Sequence, residues 1–499
     1  MVGELTFLSD ADASLRSGRT RPGLARALQA LAWLALALML ARAVALWAAD
    51  PLLGYANNWD QYRTTEVFGL KPRDSGKEMH AATPDQPWRF YVKAAPWQKP
   101  QYPSSDVLVK ALQVAVMTAL EGPDGVIDIK VAGATLLLVW LAGMLWIFAR
   151  LLARPAAALG FALWCCVLAD PINLLFLNTL YAEFSAFMAV TFLVGVLWLW
   201  LEKRLSSRRT LQMGAILALF LVFHRNQWAF LGVALLPLAF GLAFLDRQRL
   251  RFSPPRLAAV AVWTVAAAVI CLSPPAVYGK LRSAKSANRI DTVMGTLLPA
   301  SKNPQAMLRA MKLPASCLAM SGKNWYTAST AEFQTQCPPI MNLSLTRIGR
   351  ALAVEPRVMA PIIRNISINQ RGFLQHHLGQ VEGSPWATVA GADGWASASI
   401  DGMLTQLAPA WAEALIWLLM ACPFALAVIF WAAGGRRWAI MFAAQGVLFN
   451  YALFSSILGD GYVELERHAM LCFSFGALLP VLLLTAVCSR LLEGRRRAE

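Results

Sequence analysis

Long apolar runs bounded by arginine recur from one end of this 499-residue chain to the other. That pattern confines the fold more than any short motif does. Roughly 20 consecutive apolar residues can cross the hydrocarbon core of a bilayer as a helix. Inside lipid every backbone amide must be paired within the segment or within a closed barrel. The runs here are too long and too uniformly apolar for barrel strands. Hydrophobic residues make up 57% of the chain and charged residues 15%, against about 25% charged in an ordinary soluble protein. The chain therefore reads as an all-α polytopic membrane protein with about ten transmembrane helices. The runs cover residues 24–49, 131–150, 155–170, 184–201, 210–223, 227–245, 257–276, 410–433, 438–458 and 467–489.

A formal net charge of +16 would suit a polyanion-binding protein, but the charges are not placed for that. Arg16, Arg19, Arg21 and Arg26 precede the first run, and Arg150 and Arg154 follow the second. Lys203, Arg204, Arg208 and Arg209 follow the fourth, and Arg247, Arg249, Arg251 and Arg256 the sixth. Arg436 and Arg437 separate the eighth from the ninth, and Arg490, Arg495, Arg496 and Arg497 close the chain. Every second connection is short and basic, the bias that marks cytoplasmic loops. The charge is thus topological, no nucleic acid is expected as a partner, and both termini are expected in the cytoplasm. The first run, about 25 residues, exceeds a signal-peptide core and no cleavage site follows it, so it is expected to remain as a span.

Six of the eight cysteines (Cys165, Cys166, Cys271, Cys422, Cys472 and Cys488) fall in or beside apolar runs, where they serve as small apolar residues. Cys317 and Cys337 are the pair in a far-side segment, and in an oxidising compartment a disulfide between them is expected. No CxxC, HExxH or other zinc spacing occurs.

Two far-side connections are long. Residues 1–276 form an N-terminal transmembrane module whose first external loop spans about 50–130; residues 277–409 form a second external lobe; residues 410–499 carry the last membrane helices. In the first loop, apolar residues between Asp106 and Glu121 recur at helical spacing but are too few for a span, which predicts an amphipathic surface helix. Helix-like patches at Pro304 to Met311 and Ile340 to Leu352 punctuate the second, with Gly, Pro and Ser between them.

The polar residues that stand out all sit on this far side. Asn57-Asn58-Trp59-Asp60-Gln61-Tyr62-Arg63 follows the first span. Asp170 to Glu183, including Tyr181, joins the third and fourth; His224-Arg225-Asn226-Gln227 joins the fifth and sixth; Gly459 to His468, with Asp460 and Arg467, joins the ninth and tenth. The apolar run before Arg225 is only about 13 residues, short of a full crossing, so Arg225 should lie below the membrane surface. A charge at that depth needs a partner or a watery cavity. Simpler roles exist for each residue: Asp60 as a helix cap, Glu183 as an ion-pair partner of Arg225, His468 and Trp59 as interfacial residues.

With these residues in place, the chain resembles the GT-C superfamily of polytopic glycosyltransferases, in an uncharacterised bacterial branch. The resemblance rests on the Asn57–Arg63 run, Tyr181-Ala-Glu183, Arg225-Asn-Gln227, Gly459-Asp-Gly461 and Arg467-His468. It implies a sugar moved from a polyprenyl-phosphate donor to a glycan or lipid acceptor on the outer face of a bacterial inner membrane. It further implies Asp60 as general base, and Arg225, Arg63 and Arg467 on the donor phosphate. Asn57, Asn58, Trp59, Gln61, Tyr62 and Gln227 would bind the sugar, with Tyr181, Glu183, Asp460 and His468 in support. The chain departs from the family pattern in having one carboxylate, flanked by Asn and Gln, where a pair of acidic residues is common. A two-carboxylate metal site in that loop is not expected. No cofactor is required by the reading, and a divalent cation held by the supporting residues stays open. Three other readings also stay open, one of them a catalytically inert assembly protein. An O-antigen polymerase or ligase would use Arg347, Arg350, Arg357, Arg364 and Arg371 of the second loop. A transporter or flippase would need polar groups on both sides of the midplane.

Overall fold

The computed structural model describes residues 22–55, 57–83, 85–98, 104–120, 125–245, 261–262, 264–269, 272, 282–369, 379–388, 399–404, 406–463, 465 and 469–498, and it is mostly helical (76%). The principal helices are α1 (Pro22–Ala48), α2 (Asn58–Phe68), α3 (Asp106–Ala119), α4 (Ile129–Leu151), α5 (Pro155–Leu168), α6 (Glu183–Leu201) and α7 (Ser207–Val222). They continue with α8 (Leu231–Leu245), α9 (Arg282–Thr292), α10 (Leu345–Val354), α11 (Pro409–Ala432), α12 (Arg436–Asp460) and α13 (Met470–Ala498).

Among the described residues, six helices are long and apolar enough to cross a membrane: α1, α4, α6, α11, α12 and α13. The protein is thus a multi-pass membrane protein. α5 and the short helical turns up to Asn178 would make a seventh candidate, bent by 66° at the break. The break has a local cause. Pro171 disfavours helical geometry at Asp170, and the Asp170 carboxylate caps the next turn by accepting from the Ile172 amide at 3.2 Å. α7 has 16 residues and α8 has 15, fewer than the roughly 20 of a full perpendicular crossing. The run expected at 257–276 lies largely outside the described residues.

α6 is the central staff, with nearly all of its length buried. Trp140 of α4 and Trp198 and Trp200 of α6 are fully enclosed. Trp140 meets Phe184 and Phe187 of α6 at 6.0 and 5.7 Å between ring centroids. At the periphery the polarity inverts. Leu31, Leu34 and Leu38 of α1 and Leu418, Val428 and Ile429 of α11 face outward, as lipid-facing positions should. α3 has the same inversion: Leu108 and Leu112 point outward while Asp106, Lys110 and Gln113 are buried. Its buried face thus carries these polar residues beside Val114 and Met117.

The purely helical expectation needs one amendment. Two small three-stranded sheets lie in the long connecting segments. β1 (Leu53–Tyr55) pairs antiparallel with a strand at Gly379–Val381 from the second segment, Leu53 opposite Val381. The other sheet joins Leu70–Pro72, Phe90–Lys93 and Val126–Asp128 within the first segment. Strands of three to five residues carry too little alternation to be read from sequence. Gly69 ends α2 with φ +66, and a Cβ there would run into the Ala95 carbonyl, so only glycine lets the chain turn back into the strand at Leu70.

The second segment packs around Ile290, Val293, Met307, Met311, Phe333 and Ile340, all fully buried. A disulfide joins Cys317 to Cys337 with 4.7 Å between Cα atoms. After α9 the backbone widens into a π-helical turn, Val293–Leu297. Gly461, at φ +64 just past α12, sits so close to Asp291 and Thr296 that a side chain has no room. Tyr462 then donates its amide to Thr296 Oγ1 at 3.1 Å. These contacts fix the end of α12, and with it Asp460, beside α9.

Peptide mapping without reductant should recover Cys317 and Cys337 as one cross-linked pair. Replacing both by serine should lower stability by roughly 2–4 kcal/mol. Two free thiols in protein extracted from the membrane would contradict this.

Candidate active site

α2 starts where it does because Asn57 caps it: the Asn57 side chain accepts from the Asp60 amide at 3.2 Å. Three bonds then stitch the helix to the segment preceding α6. Tyr181 Oη donates to the Asn57 carbonyl at 2.8 Å, Thr64 Oγ1 donates to the Leu180 carbonyl at 3.1 Å, and Gln61 Oε1 accepts from the Leu180 amide at 3.4 Å. Asn58 donates its side-chain amide to the Ala82 carbonyl. Asn57, Asn58, Gln61 and Tyr181 are therefore occupied in holding the scaffold. Trp59 lies on the opposite side of α2, 64% exposed. It packs on His80 at 5.4 Å and Tyr62 at 6.5 Å, and neither Trp59 nor Tyr62 lines a described cavity with Asp60.

The helix period leaves Asp60 and Arg63 on the inner face. Arg63 Nη1 lies 3.0 Å from Asp60 Oδ1, and Arg225 Nη2 lies 4.0 Å from Asp60 Oδ2. Arg225 also pairs directly with Glu183 at the start of α6. All but Arg63 are largely removed from solvent. Two carboxylates and two guanidinium groups from three separate parts of the chain thus form one compact, charge-balanced cluster. Pairing of this kind is what permits charges at such depth.

A second network backs the first. Lys110 of α3, fully buried, donates from Nζ to the Tyr181 carbonyl at 2.7 Å. Burial pushes its ammonium below the ordinary lysine range, opposed by Asp106 and Glu183. Ser185 Oγ donates to Asp106 at 2.5 Å and lies 2.8 Å from His224 Nε2. Ser104 Oγ donates to the His224 carbonyl at 2.7 Å. Burial, reinforced by Arg225 and partly opposed by Asp106, lowers His224 to about 4, so it is neutral at pH 7. The serine here sits between carboxylate and imidazole and gives its proton to the carboxylate. That is the wrong order for a hydrolytic triad, where the imidazole stands in the middle. The network is a latch joining α3, α6 and the turn that carries Arg225.

Beside the ion cluster opens a cavity of about 650 Å³. Arg63, Arg225, Gln227 and Asp460 line it, along with Lys285 and Arg289 of α9. Leu345, Ile348 and Leu352 of α10 and Val447, Phe454 and Leu458 of α12 supply an apolar wall. Gln227 is steadied by Ser456 Oγ, which accepts its side-chain amide at 3.1 Å. Asp60 lines a smaller adjoining recess together with Arg63, Lys110, Tyr181 and Arg225, and Glu183 lines a third with Arg225 and Gln227. Arg225 borders all three spaces. Arg467 and His468 lie outside the described residues. Among the described residues no three acidic, histidine or cysteine side chains converge as metal ligands. Sequence reasoning missed Lys110, Lys285 and Arg289. The only signal for the last two is their spacing of four on a helix that carries Asn288 on the same side.

Two outcomes follow from the burial of these charges. Arg225→Met should cost about 3–5 kcal/mol, because it strands the Glu183 carboxylate; the double variant Arg225→Met, Glu183→Met should recover most of that. Thermal melting of the two proteins, side by side, checks it, and equal loss in both would contradict it. For His224 the folded pKa of about 4 lies below the ordinary 6.5, so protonation opposes folding. Its contribution is complete above pH 6.5 and falls away as pH drops toward 4, by up to roughly 3 kcal/mol. His224→Gln should flatten that part of the stability–pH curve.

Residues 23–342 match the family model described as the YfdI N-terminal transmembrane domain. No curated protein matches the chain, and no solved structure does. The matched region takes in α1 through α9, the ion cluster and the buried latch behind it. It covers well over half of the sequence, and the chain accordingly belongs to the YfdI family of membrane proteins.

Proposed function

We propose that this protein is a GT-C-type glycosyltransferase that moves a sugar from a polyprenyl-phosphate donor to a cell-envelope glycan or lipid acceptor. In this reading the site faces the outer side of a bacterial inner membrane, both termini are cytoplasmic, and the chain crosses about ten times, the shorter helices α7 and α8 included. The two long connecting segments are then external. The observation that carries the proposal is the pairing of an apolar-walled cavity of about 650 Å³ with an arginine-lined end, one side chain away from a recessed carboxylate. A lipid-linked phosphate needs both surfaces at once: an apolar trough for the chain and cations for the head.

The chemistry assigned is a single displacement. The acceptor hydroxyl gives its proton to the Asp60 carboxylate as its oxygen attacks the anomeric carbon. The bond from that carbon to the phosphate oxygen breaks, and lipid phosphate leaves with the electron pair. Arg63 and Arg225 serve both steps in this reading, since both lie against the Asp60 carboxylate and both border the cavity assigned to the departing phosphate. Gln227 and Asp460, which line the cavity together with Asn288, Asn450 and Ser455, are the groups assigned to the sugar. The arginines that would suit a polymerase or ligase receive no such support: Arg347, Arg350, Arg357 and Arg364 do not line the cavity, and Arg371 lies outside the described residues.

Asp60→Asn should reduce transfer by about 10²- to 10⁴-fold, the usual worth of a general base, with expression and donor binding retained. A radiolabelled lipid-linked sugar assay on purified protein, beside a binding measurement, reads both. Transfer within a few-fold of wild type would reject Asp60 as the base.

A further inference from the structure

We infer that Arg204 and Arg154 form a binding site for the phosphate of an anionic phospholipid headgroup, at the end of α6 opposite the ion cluster. The cluster meets α6 at its first residue, Glu183, and Arg204 lies just beyond its last, Leu201. The 19 residues of α6 separate the two by about 28 Å. The site is therefore at the other membrane face, and it does not depend on the role given to Asp60.

The observation that carries the inference is one edge of a guanidinium. Arg204 Nε and Nη2 are both shielded from water, and among the described residues neither has a hydrogen-bond partner. Such donors in native proteins are rare, and an ion or an ordered water is a usual explanation. The N–H groups of Nε and Nη2 point the same way, with the fork spacing that matches two oxygens of one phosphate. The side chain as a whole is only half-buried, so a turn of the side chain brings that edge to a ligand at the surface. The local charge selects an anion. Burial disfavours the charged form of Arg204, repulsion from Arg154 adds to this, and attraction to Glu202 opposes it more weakly. A phosphodiester between the two arginines removes that repulsion.

The backbone holds the pair in place. The amides of Arg204 and Leu205 both donate to the Leu199 carbonyl, at 2.7 and 3.2 Å, and Trp200 Nε1 donates to Ser207 Oγ at 2.9 Å. Arg154 sits in the turn between α4 and α5, which Gln29 of α1 ties down by donating to the Leu152 carbonyl at 3.1 Å. The surroundings favour a lipid over free phosphate. Arg150 lies over the Trp146 ring at 4.2 Å, and Arg436 over the exposed Trp431 at 5.7 Å. Arg437, next to Arg436, donates to the Trp200 carbonyl, which brings the start of α12 to the same turn. Tryptophan beside arginine at the ends of membrane helices marks headgroup depth, where basic sites between helices take anionic headgroups.

The test is native mass spectrometry of the full-length protein in non-ionic detergent with equal amounts of phosphatidylglycerol and zwitterionic phosphatidylcholine. Wild type should retain one phosphatidylglycerol in preference to phosphatidylcholine by about tenfold or more, the worth of hydrogen bonds to a charged group. Arg204→Gln should bring the ratio near one, with unaltered phosphatidylcholine retention reporting an intact fold. Arg154→Gln should lower the ratio severalfold, and Arg208→Gln, at an exposed position on α7, should leave it as in wild type. Wild type without a preference, or Arg204→Gln with the wild-type ratio, overturns the site. An equal loss in Arg208→Gln also overturns it, since the binding would then be diffuse surface attraction. So does displacement of the lipid by inorganic phosphate at equal concentration, which would make the site one for free phosphate. Should Arg204→Gln not fold, the exposed Arg154 decides: an unchanged ratio in Arg154→Gln overturns the site by itself.

Discussion

The cluster of Asp60, Arg63, Glu183 and Arg225 is the interaction on which the arrangement of the site depends. Four charged groups meet at the end of α6, a helix buried along nearly its whole length. Removing such groups from water costs several kcal/mol each, and mutual pairing offsets that cost only when the geometry is held. The scaffold supplies the hold. Asn57 and Tyr181 position α2, Lys110 pins the segment before α6, and the bonds among Asp106, Ser185 and His224 fix the turn bearing Arg225. The cluster thus joins α2, α6 and the turn after α7, and it sets one wall of the cavity. α9 and the end of α12, locked together through Gly461 and Thr296, set the other.

The long membrane helices were legible because hydropathy dominates them. Runs read at 131–150, 184–201 and 438–458 correspond to α4, α6 and α12 at Ile129–Leu151, Glu183–Leu201 and Arg436–Asp460. Shorter elements were not legible in the same way. The bend after α5 depends on Asp170 bonding both to Ile172 and, across the chain, to Ile400. The small sheet at Leu53 is completed by residues more than 300 positions away, which no local pattern can announce.

The site was half legible for a related reason. The run Asn57–Arg63 is dense in polar and aromatic residues, but a helix sends neighbours in different directions. Asp60 and Arg63 turn inward, Asn58 and Gln61 are spent on backbone partners, and Trp59 turns out. Composition pointed to the run; only the fold sorts its members. Lys110 was hidden in what reads as an ordinary amphipathic helix, because the structure buries it beside Val114 and Met117 while Leu108 and Leu112 face outward. Lys285 and Arg289 were hidden because they share a cavity with Arg225 only through the fold, a relation between distant segments.

The most direct test of the account is a structure of the full-length protein with a polyprenyl-phosphate sugar bound. The account predicts phosphate density in the cavity between α9 and Arg225, the lipid chain along Leu345, Ile348 and Leu352, and the anomeric carbon turned toward the recess that holds Asp60. Phosphate density outside this cavity, or a sugar directed away from Asp60, would contradict it.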